Sequence, residues 1–313
     1  MAEKNYTYGI KVTDAPKIRK LGVIRYNEPE IDTYAEMTPF VWRNRLMRVE
    51  TVWPPVGTAY FIIRDVERNE AGTPFAHNTC FSCAYCENDT VYVFGTTFIN
   101  GSAGGESVMM FRSEDLVNWR QKTIITLPGR TLFNTSVCKS PDGYKMAIEI
   151  GKPPELVGKL FTMFFAESAD LMTWRMLPDE CCYTKKRYSA CPALRYLDDG
   201  FYYMIYLEEL PLLRYAPYIC RTKDFIDWEI GLHNPIMVCS PEDRMPKPGV
   251  AFAPETIDKI RSYLNINDCD VDLCEFCGYT YINYLTGDQH GINCICEAVY
   301  DSPMAEFLQG FFN

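Results

Sequence analysis

Short runs of alternating apolar and polar residues recur along nearly the whole chain, and each is followed by a turn and a second, aromatic or β-branched run. The turns fall at 43–44, 87–89, 141–143, 198–200 and 277–278, and they are rich in Asn, Asp and Gly. Alternation on both sides of such a turn predicts a β-hairpin. A third run follows each hairpin, at 60–64, 107–112, 160–166, 218–221 and 292–299. The pattern therefore predicts five successive antiparallel sheets.

A seven-residue phrase occurs after three of these third runs. It reads SEDLVNW at 113–119, SADLMTW at 168–174 and TKDFIDW at 222–228, so the tryptophans are 55 and 54 residues apart. A fixed period of this size indicates one supersecondary unit used repeatedly. Within the phrase, Ser or Thr and Asp suit a turn, and Trp suits packing against the sheet. We therefore expect the phrase to be structural.

Five successive antiparallel sheets with one pattern predict an all-β fold, a five-bladed β-propeller that forms a single domain over 1–313. Residues 8–11 or 22–25 are expected to supply the outer strand of the last blade and so close the ring. The exception to the period is an insertion at 233–267, between blades four and five. A helix is predicted from Pro254, with Ile257, Ile260 and Leu264 on one face. An insertion of this length favours a role in shaping the pocket or in packing against a second subunit.

The composition limits which classes of partner the protein is expected to bind. The net charge is −10 and no Lys/Arg run exceeds the segment 17–20, which argues against nucleic acid. There is no signal-peptide pattern and no run of 18 apolar residues, so we expect a cytoplasmic protein without membrane contact. The 14 cysteines are expected to be reduced and buried. The spacing within Cys80, Cys83 and Cys86, and within the cluster from Cys269, places neighbours on opposite strand faces, so structural zinc is not predicted.

The candidate chemistry follows from the propeller geometry. The first strands of the blades line a central channel, and their starting ends meet at one mouth. Glycoside hydrolysis needs one carboxylic acid to protonate the leaving oxygen and one carboxylate to activate water or to attack. Five carboxyl groups are predicted at this mouth as catalytic candidates, namely Glu36, Asp270, Asp272, Glu149 and Glu208. Glu36 or the Asp270/Asp272 pair would be the base, and Glu149 or Glu208 the acid.

Other side chains near the predicted mouth are candidates for binding substrate. Asparagine, serine and histidine can hydrogen-bond sugar hydroxyls, and aromatic rings can stack on a pyranose face. The predicted binding residues are Trp42, His77, Asn78, Asn134, Ser136, Tyr188, Ser189 and His290, and Phe133 is a further stacking candidate.

The repeated phrase, with hairpins upstream of it, resembles the five-bladed propeller glycoside hydrolases, especially the arabinanase and β-xylosidase group of family 43, over about 34–312. The resemblance implies an inverting hydrolase acting on a small oligosaccharide or glycoside, with carbohydrate as its partner. It implies no cofactor, and it leaves open a channel calcium ion, as some relatives have. Glu36 occupies the position where the arabinanase group normally has an aspartate as its general base. The invertase group is disfavoured because the segment WMNDPNG is absent.

Two other functions remain open from the sequence. A glycoside phosphorylase would need Arg, Lys or His side chains at the mouth to hold phosphate. A non-catalytic propeller that binds sugar or protein would have mouth carboxylates neutralised by Arg or Lys, since fold alone does not fix function. The sugar, the anomer and the oligomeric state are not determined by the sequence.

Overall fold

Antiparallel strands dominate the computed structural model, which describes residues 15–28, 30–98, 103–212, 214–288 and 290–313. The strands of the first half are β1 (Arg19–Asn27), β2 (Thr33–Trp42), β3 (Arg45–Trp53), β4 (Tyr60–Asp65), β5 (Glu70–Ala71), β6 (Thr79–Glu87), β7 (Thr90–Thr97), β8 (Ser107–Ser113), β9 (Arg120–Thr126), β10 (Thr131–Ser140) and β11 (Gly143–Lys152). Those of the second half are β12 (Thr162–Ser168), β13 (Trp174–Met176), β14 (Ala190–Tyr196), β15 (Tyr202–Leu210), β16 (Arg214–Thr222), β17 (Trp228–Ile230), β18 (Asn267–Phe276), β19 (Tyr279–Gly287) and β20 (Asn293–Tyr300).

Helices are few and short. They are α1 (Pro154–Val157), α2 (Pro254–Ser262) and α3 (Met304–Gln309), with 3₁₀ turns at Asp179–Cys181 and Pro241–Arg244. No helix in the described part of the chain is long and apolar enough to cross a membrane.

The strands pair as meanders. Three sheets contain four strands each, in the orders β2-β3-β4-β5, β6-β7-β8-β9 and β10-β11-β12-β13. An eight-stranded sheet runs β1-β20-β19-β18-β16-β15-β14 with β17 on β16, and the strands of its two halves pair through one parallel bridge, Tyr215–Asn267. The first strands β2, β6, β10, β14 and β18 contact one another in a closed circle. The predicted all-β propeller is confirmed.

The backbone conformation of the hairpin turns explains why these turns could be predicted from the sequence. Arg43 and Asn44 both have positive φ, as do Asn88 and Asp89, and Cys277 and Gly278. Two successive left-handed residues form the turn whose twist matches that of the flanking strands, and Asn, Asp and Gly adopt it most readily.

The repeated phrase forms a turn after the third strand. In its first copy, Asp115 Oδ1 accepts the backbone N–H groups of Val117 and Asn118 at 2.9 and 2.8 Å, and the same pair of bonds recurs at Asp170 and Asp224. The phrase tryptophans then pack inward, and the ring of Trp119 stacks on that of the buried Phe75 at 3.9 Å. The phrase is thus a structural turn.

β1 closes the ring by pairing with β20, so the prediction for 22–25 is confirmed, whereas 8–11 lies outside the described residues. The insertion packs along the outer edge of β1, where Val23 N–H donates to Met245 O at 2.8 Å. Lys20 Nζ, on the same strand, lies 2.8 Å from carboxylate oxygens of both Asp243 and Asp268, which are fully buried. A buried ion pair therefore ties the insertion to the closing strand.

Within the insertion, α2 begins at Pro254 as predicted, and Ile260 is buried. The expectation for Leu264 is wrong. The helix ends at Ser262, so Leu264 lies beyond it and is 63% exposed.

The cysteines are all free thiols, and eight of the 14 are buried. Among the described residues, no three His, Cys, Asp or Glu side chains are grouped so as to hold a metal ion.

Gly22 provides a test of ring closure. Its φ is +106°, and an added Cβ would lie 2.5 Å from the carbonyl oxygen of Met245. We expect Gly22→Ala to lower the free energy of unfolding by about 2 kcal/mol or more, because strain and a backbone clash add. Gly57 is a matched control, since its φ is +107° and nothing lies within 4 Å of its added Cβ. Urea denaturation should show a clearly smaller loss for Gly57→Ala, and equal losses would contradict the closure argument.

Candidate functional site

A bulge interrupts each first strand near the same end of the ring. In four strands the bulge contains a non-glycine residue with positive φ, namely Glu36 (φ 41°), Phe81 (59°), Cys191 (51°) and Asp270 (49°). In β10 the register breaks between Leu132 and Thr135. A bulge inserts an unpaired residue and re-aims its side chain, and backbone of this kind is concentrated at functional sites.

The bulges show which residues leave the regular alternation of the first strands. Of the residues predicted at the mouth, Glu36, Asn134 and Asp270 lie at bulges. Asn78 and Ser189 do not, because the bulges of β6 and β14 begin three and two residues later, at Phe81 and Cys191. The difference arises because strand alternation alone does not reveal where an extra residue is inserted.

Glu149 lies on β11, opposite the bulge of β10. Its Oε2 accepts the side-chain amide of Asn134 at 2.9 Å and the backbone N–H of Cys191 at 2.8 Å. The residue is only 2% exposed. Glu149 thus joins β11 to the bulges of both neighbouring first strands.

Glu36 is half-buried and lies beside Trp53, the last residue of β3. The indole Nε1–H of Trp53 donates to Glu36 Oε2 at 3.1 Å, and Ser82 Oγ donates to the Glu36 carbonyl at 2.8 Å. One carboxylate oxygen of Glu36 is therefore fixed by a hydrogen bond.

Electrostatics link Glu36, Glu149 and Asp270, which we call the carboxylate cluster. Burial, then the charge of Asp270 and more weakly that of Glu149, raises the pKa of Glu36 to about 8. Burial raises the pKa of Glu149 to about 7, with Asp270 adding to the shift and the bonds from Cys191 and Asn134 opposing it.

Asp270 differs from the other two carboxyls in its partners. Burial raises the pKa of Asp270, and hydrogen bonds from the thiols of Cys191 and Cys269 oppose the shift. Once Asp270 is ionised, its charge holds a proton on Glu36. Pairs of titratable groups whose pKa values are pushed apart in this way are suited to acid–base chemistry.

Asp272 lies outside the cluster. It forms an ion pair with Arg195 and accepts Thr38 Oγ1 at 2.6 Å. These contacts tie β18 to β14 and β2, because Arg195 and Thr38 lie on those strands. Ser136 is similarly engaged, since its Oγ accepts the Leu194 N–H at 2.9 Å. The predicted catalytic role of Asp272 and the binding role of Ser136 are not supported by these placements.

Glu208 is also separate from the cluster. Its Oε2 lies 3.7 Å from Arg187 Nη1. Burial, with a smaller effect of the nearby Glu209, raises the pKa of Glu208, and the neighbouring groups Arg187, Tyr206 and Lys159 oppose the shift. None of the cluster carboxyls is among them. Glu149, not Glu208, is the strand-end glutamate that joins Glu36 and Asp270.

The remaining predicted binding residues are dispersed. Trp42 is at the opposite end of β2 from Glu36, about 20 Å along the strand, where its Nε1 donates to Asp89 O. His77, Asn78 and His290 are exposed, and the His77 ring lies against Tyr60. Ser189 is fully buried and its Oγ donates to Phe161 O at 3.4 Å. Of the predicted set, Asn134 and Tyr188 lie at the cluster.

Sequence reasoning missed most of a continuous aromatic arc beside the cluster. Successive ring centroids lie between 4.9 and 5.7 Å apart, and all seven side chains are half-buried. Its members in spatial order are Phe98, Trp53, Phe81, Phe133, Phe161, Tyr188 and Tyr215. Only Phe133 and Tyr188 were predicted. Phe98 and Phe161 lie in loops and Phe81 at a bulge, where no periodicity reveals the direction of a side chain, and Trp53 and Tyr215 lie at strand ends.

Two surface depressions of about 680 and 510 Å³ lie elsewhere, one beside α3 and one at the hairpin turns near Arg43. Neither contains a residue of the carboxylate cluster. The candidate site therefore rests on the side-chain arrangement and not on cavity size.

Solved structures of known proteins share this architecture. The α-L-arabinofuranosidase PaAbf62A from Podospora anserina, solved with cellotriose, matches with a TM-score of 0.65 and 8% identity over 93% of this chain and 99% of that one. The GH62 arabinofuranosidase catalytic domain from Coprinopsis cinerea matches at 0.62 and 8%, over 92% and 98%. A GH43 endo-arabinanase from Bacillus licheniformis matches at 0.53 and 9%, over 84% and 92%.

The chain has the fold of the propeller glycoside hydrolases. The resemblance seen in the sequence is confirmed at the level of the fold, since identities this low carry no finer statement. No protein-family model matches the sequence, and no curated protein matches it.

The raised pKa of Glu149 has a consequence for stability. Its folded pKa of about 7 lies above the unfolded value of about 4.3, so the stabilisation is complete below the unfolded value and is lost as pH rises through 7. We expect Glu149→Gln to raise the free energy of unfolding at pH 8, by about 1–3 kcal/mol, and to change it little at pH 4. Urea denaturation at both pH values measures this difference.

Glu167 is the matched control on β12. Hydrogen bonds from Lys145 and Arg175 lower its pKa, so Glu167→Gln is expected to have the opposite sign or no effect at pH 8. A destabilising effect of Glu149→Gln at pH 8 would contradict the assignment.

Proposed function

We propose that this protein is a glycoside hydrolase whose reaction takes place at the carboxylate cluster. The observation that carries the proposal is the convergence of Glu36, Glu149 and Asp270, from β2, β11 and β18, at one end of the ring, where burial and the charge of Asp270 raise the pKa values of both glutamates. Two carboxyl groups in different protonation states are what glycosidic bond cleavage requires. The shared fold with named glycoside hydrolases supports the same activity.

We also infer that the propeller has five blades. The eight-stranded sheet consists of two four-stranded meanders joined by one bridge, and the circle of contacting first strands contains β2, β6, β10, β14 and β18. The insertion then lies between the fourth and fifth blades, and 1–313 forms one domain.

We assign the roles of Glu36 and Asp270 from their pKa shifts and their hydrogen-bond partners. Glu36 holds a proton near neutral pH and is assigned as the general acid, while Asp270, with two thiol donors, is assigned as the carboxylate that activates water or attacks. This assignment reverses the role expected for Glu36 from the arabinanase group. Glu149 lies behind them and is assigned as a positioning residue, since its fixed oxygen binds Asn134 and the Cys191 backbone.

Hydrolysis is favoured over phosphorolysis because the principal groups acting on these three carboxyls include no Arg, Lys or His within the described part of the chain. The same fact disfavours a non-catalytic propeller, whose carboxylates would be neutralised, as Glu50 is by Arg48 and Arg64. We retain a neutral glycoside or small oligosaccharide as substrate, an inverting reaction without a cofactor, and a cytoplasmic location as predictions. Proton NMR of the first-formed product anomer tests the stereochemistry.

Leaving-group dependence distinguishes the acid from the base. We expect Glu36→Gln to lower kcat/KM by at least about 100-fold on glycosides with alcohol leaving groups and much less on 2,4-dinitrophenyl glycosides, which need no protonation. Asp270→Asn is expected to abolish turnover of both. Steady-state kinetics on both series, after a panel screen with and without phosphate has identified the sugar, measures these effects.

Glu167→Gln serves as the control for substituting a glutamate outside the cluster, and it is expected to retain wild-type kinetics. Equal losses on both leaving groups for Glu36→Gln would remove the acid role. Wild-type activity in Asp270→Asn would exclude the proposed site, and strict phosphate dependence would establish a phosphorylase instead.

The pH profile follows from the same groups. Activity requires protonated Glu36 and ionised Asp270, so kcat/KM should fall as pH rises through about 8. In Glu36→Gln, the residual activity on glycosides with alcohol leaving groups should lack this alkaline limb. An alkaline limb that persists unchanged would assign the acid to another group.

A further inference from the structure

We propose that the substrate of this site carries an apolar, aromatic aglycone that stacks on the aromatic arc, so that the protein acts on aryl or arylalkyl glycosides of a neutral sugar. The inference rests on the proposed function for the reacting bond, and it adds the chemical class of the leaving group.

The arc is contiguous with the carboxylate cluster on two sides. Trp53 donates its indole N–H to Glu36, and the pKa of Tyr188 is raised by burial and by nearby Cys191, Glu149 and Asp270. Phe81 lies at the same bulge position in β6 as Glu36 does in β2. A group held at the cluster therefore lies against the middle of the arc.

An unbroken series of partly exposed aromatic side chains forms an apolar surface patch, and such patches mark binding sites on proteins. Phe161, Tyr188 and Tyr215 pack partly against a buried cluster, whereas the other four rings of the arc belong to none of the core clusters of the described residues. The missing side chain at Gly151 leaves room for two rings of the arc to approach each other closely. A Cβ at Gly151 would lie 2.6 Å from Phe133 and 2.8 Å from Phe161.

Three polar side chains beside the cluster and the arc are already engaged within the protein. The Asn134 amide is bound to Glu149, Ser82 Oγ to the Glu36 carbonyl, and Ser189 Oγ to Phe161 O. A second sugar in the leaving-group position would bury hydroxyls with few partners, which costs binding energy. A ring system without hydroxyls buries apolar surface on the arc without that cost.

The arc carries no ionised side chain, and five of its seven members lack a hydroxyl group: Trp53, Phe81, Phe98, Phe133 and Phe161. Offset and edge-to-face contacts between aromatic rings are favourable, and the arc rings already meet one another in this way. An aromatic aglycone extends the same series by one ring.

The test compares two alcohol leaving groups on the same sugar. 2-Phenylethyl and methyl glycosides of the same neutral pentoses and hexoses, in both anomers, have alcohol leaving groups of similar acidity but differ in aromatic surface. We expect kcat/KM to be at least about tenfold higher for the 2-phenylethyl compounds, a ratio of the size that one apolar contact produces. Disaccharides of the same sugar should be slower than the 2-phenylethyl glycosides.

Variants of arc residues test whether the arc causes this difference in kcat/KM. Phe81→Leu and Phe133→Leu should bring the phenylethyl-to-methyl ratio of kcat/KM close to one. The control is Phe201→Leu, a half-buried phenylalanine on another part of the fold that contacts Tyr203 and Arg221. It should leave the ratio unchanged. A wild-type ratio near one, or faster disaccharide hydrolysis, would overturn the inference.

Binding measurements test this inference independently of the proposed function. If no compound is hydrolysed, the proposed function fails, and calorimetric titration of Glu36→Gln with the same two glycoside series still decides the inference. Tighter binding of the 2-phenylethyl compounds, lost in Phe81→Leu, would support the arc as an aromatic subsite. Equal or undetectable binding of both series would overturn it.

Discussion

The organisation of this protein depends on one backbone constraint, the bulge repeated in each first strand. A regular strand alternates its side chains between two faces and cannot turn an extra residue toward the channel. At the bulges, positive φ at Glu36, Phe81, Cys191 and Asp270 directs those residues to one ring. The strain at four non-glycine residues is tolerated because ladder hydrogen bonds on both sides of each bulge fix the backbone.

The same constraint sets the electrostatics. The bulges bring two carboxyl groups, Glu36 and Asp270, from opposite ends of the sequence into one partly desolvated place, and Glu149 reaches it from the second strand of the third sheet. Elsewhere buried carboxylates are compensated, as Asp272 is by Arg195 and Glu50 by Arg48 and Arg64. The contrast between neutralised and uncompensated carboxyls separates structural from chemical groups more clearly than burial does, since both kinds are buried.

The bulge ring also mixes two kinds of surface. Cys191 bridges the carboxyls, giving its backbone N–H to Glu149 and its thiol to Asp270. Phe81 and the bulge at Phe133 contribute ring faces in place of charges, and they continue into the arc through Trp53 and Phe161. A site with charge on one side and apolar rings on the other fits a reaction at a polar anomeric carbon with an apolar group attached.

The sequence by itself determined the repeat, the hairpin turns and the all-β propeller, because alternation and left-handed turn residues are local signals. It also predicted Glu36, Asp270, Glu149 and Asn134 near the mouth, and the structure brings these four residues together. Ser189 and Asn78 lie away from the cluster because the position of a bulge leaves no periodic trace, and Trp42 lies at the other end of β2. Which carboxyls are neutralised, as Asp272 is by Arg195 from 77 residues away, was decided only by the tertiary structure, since ion pairs between blades depend on how the sheets pack.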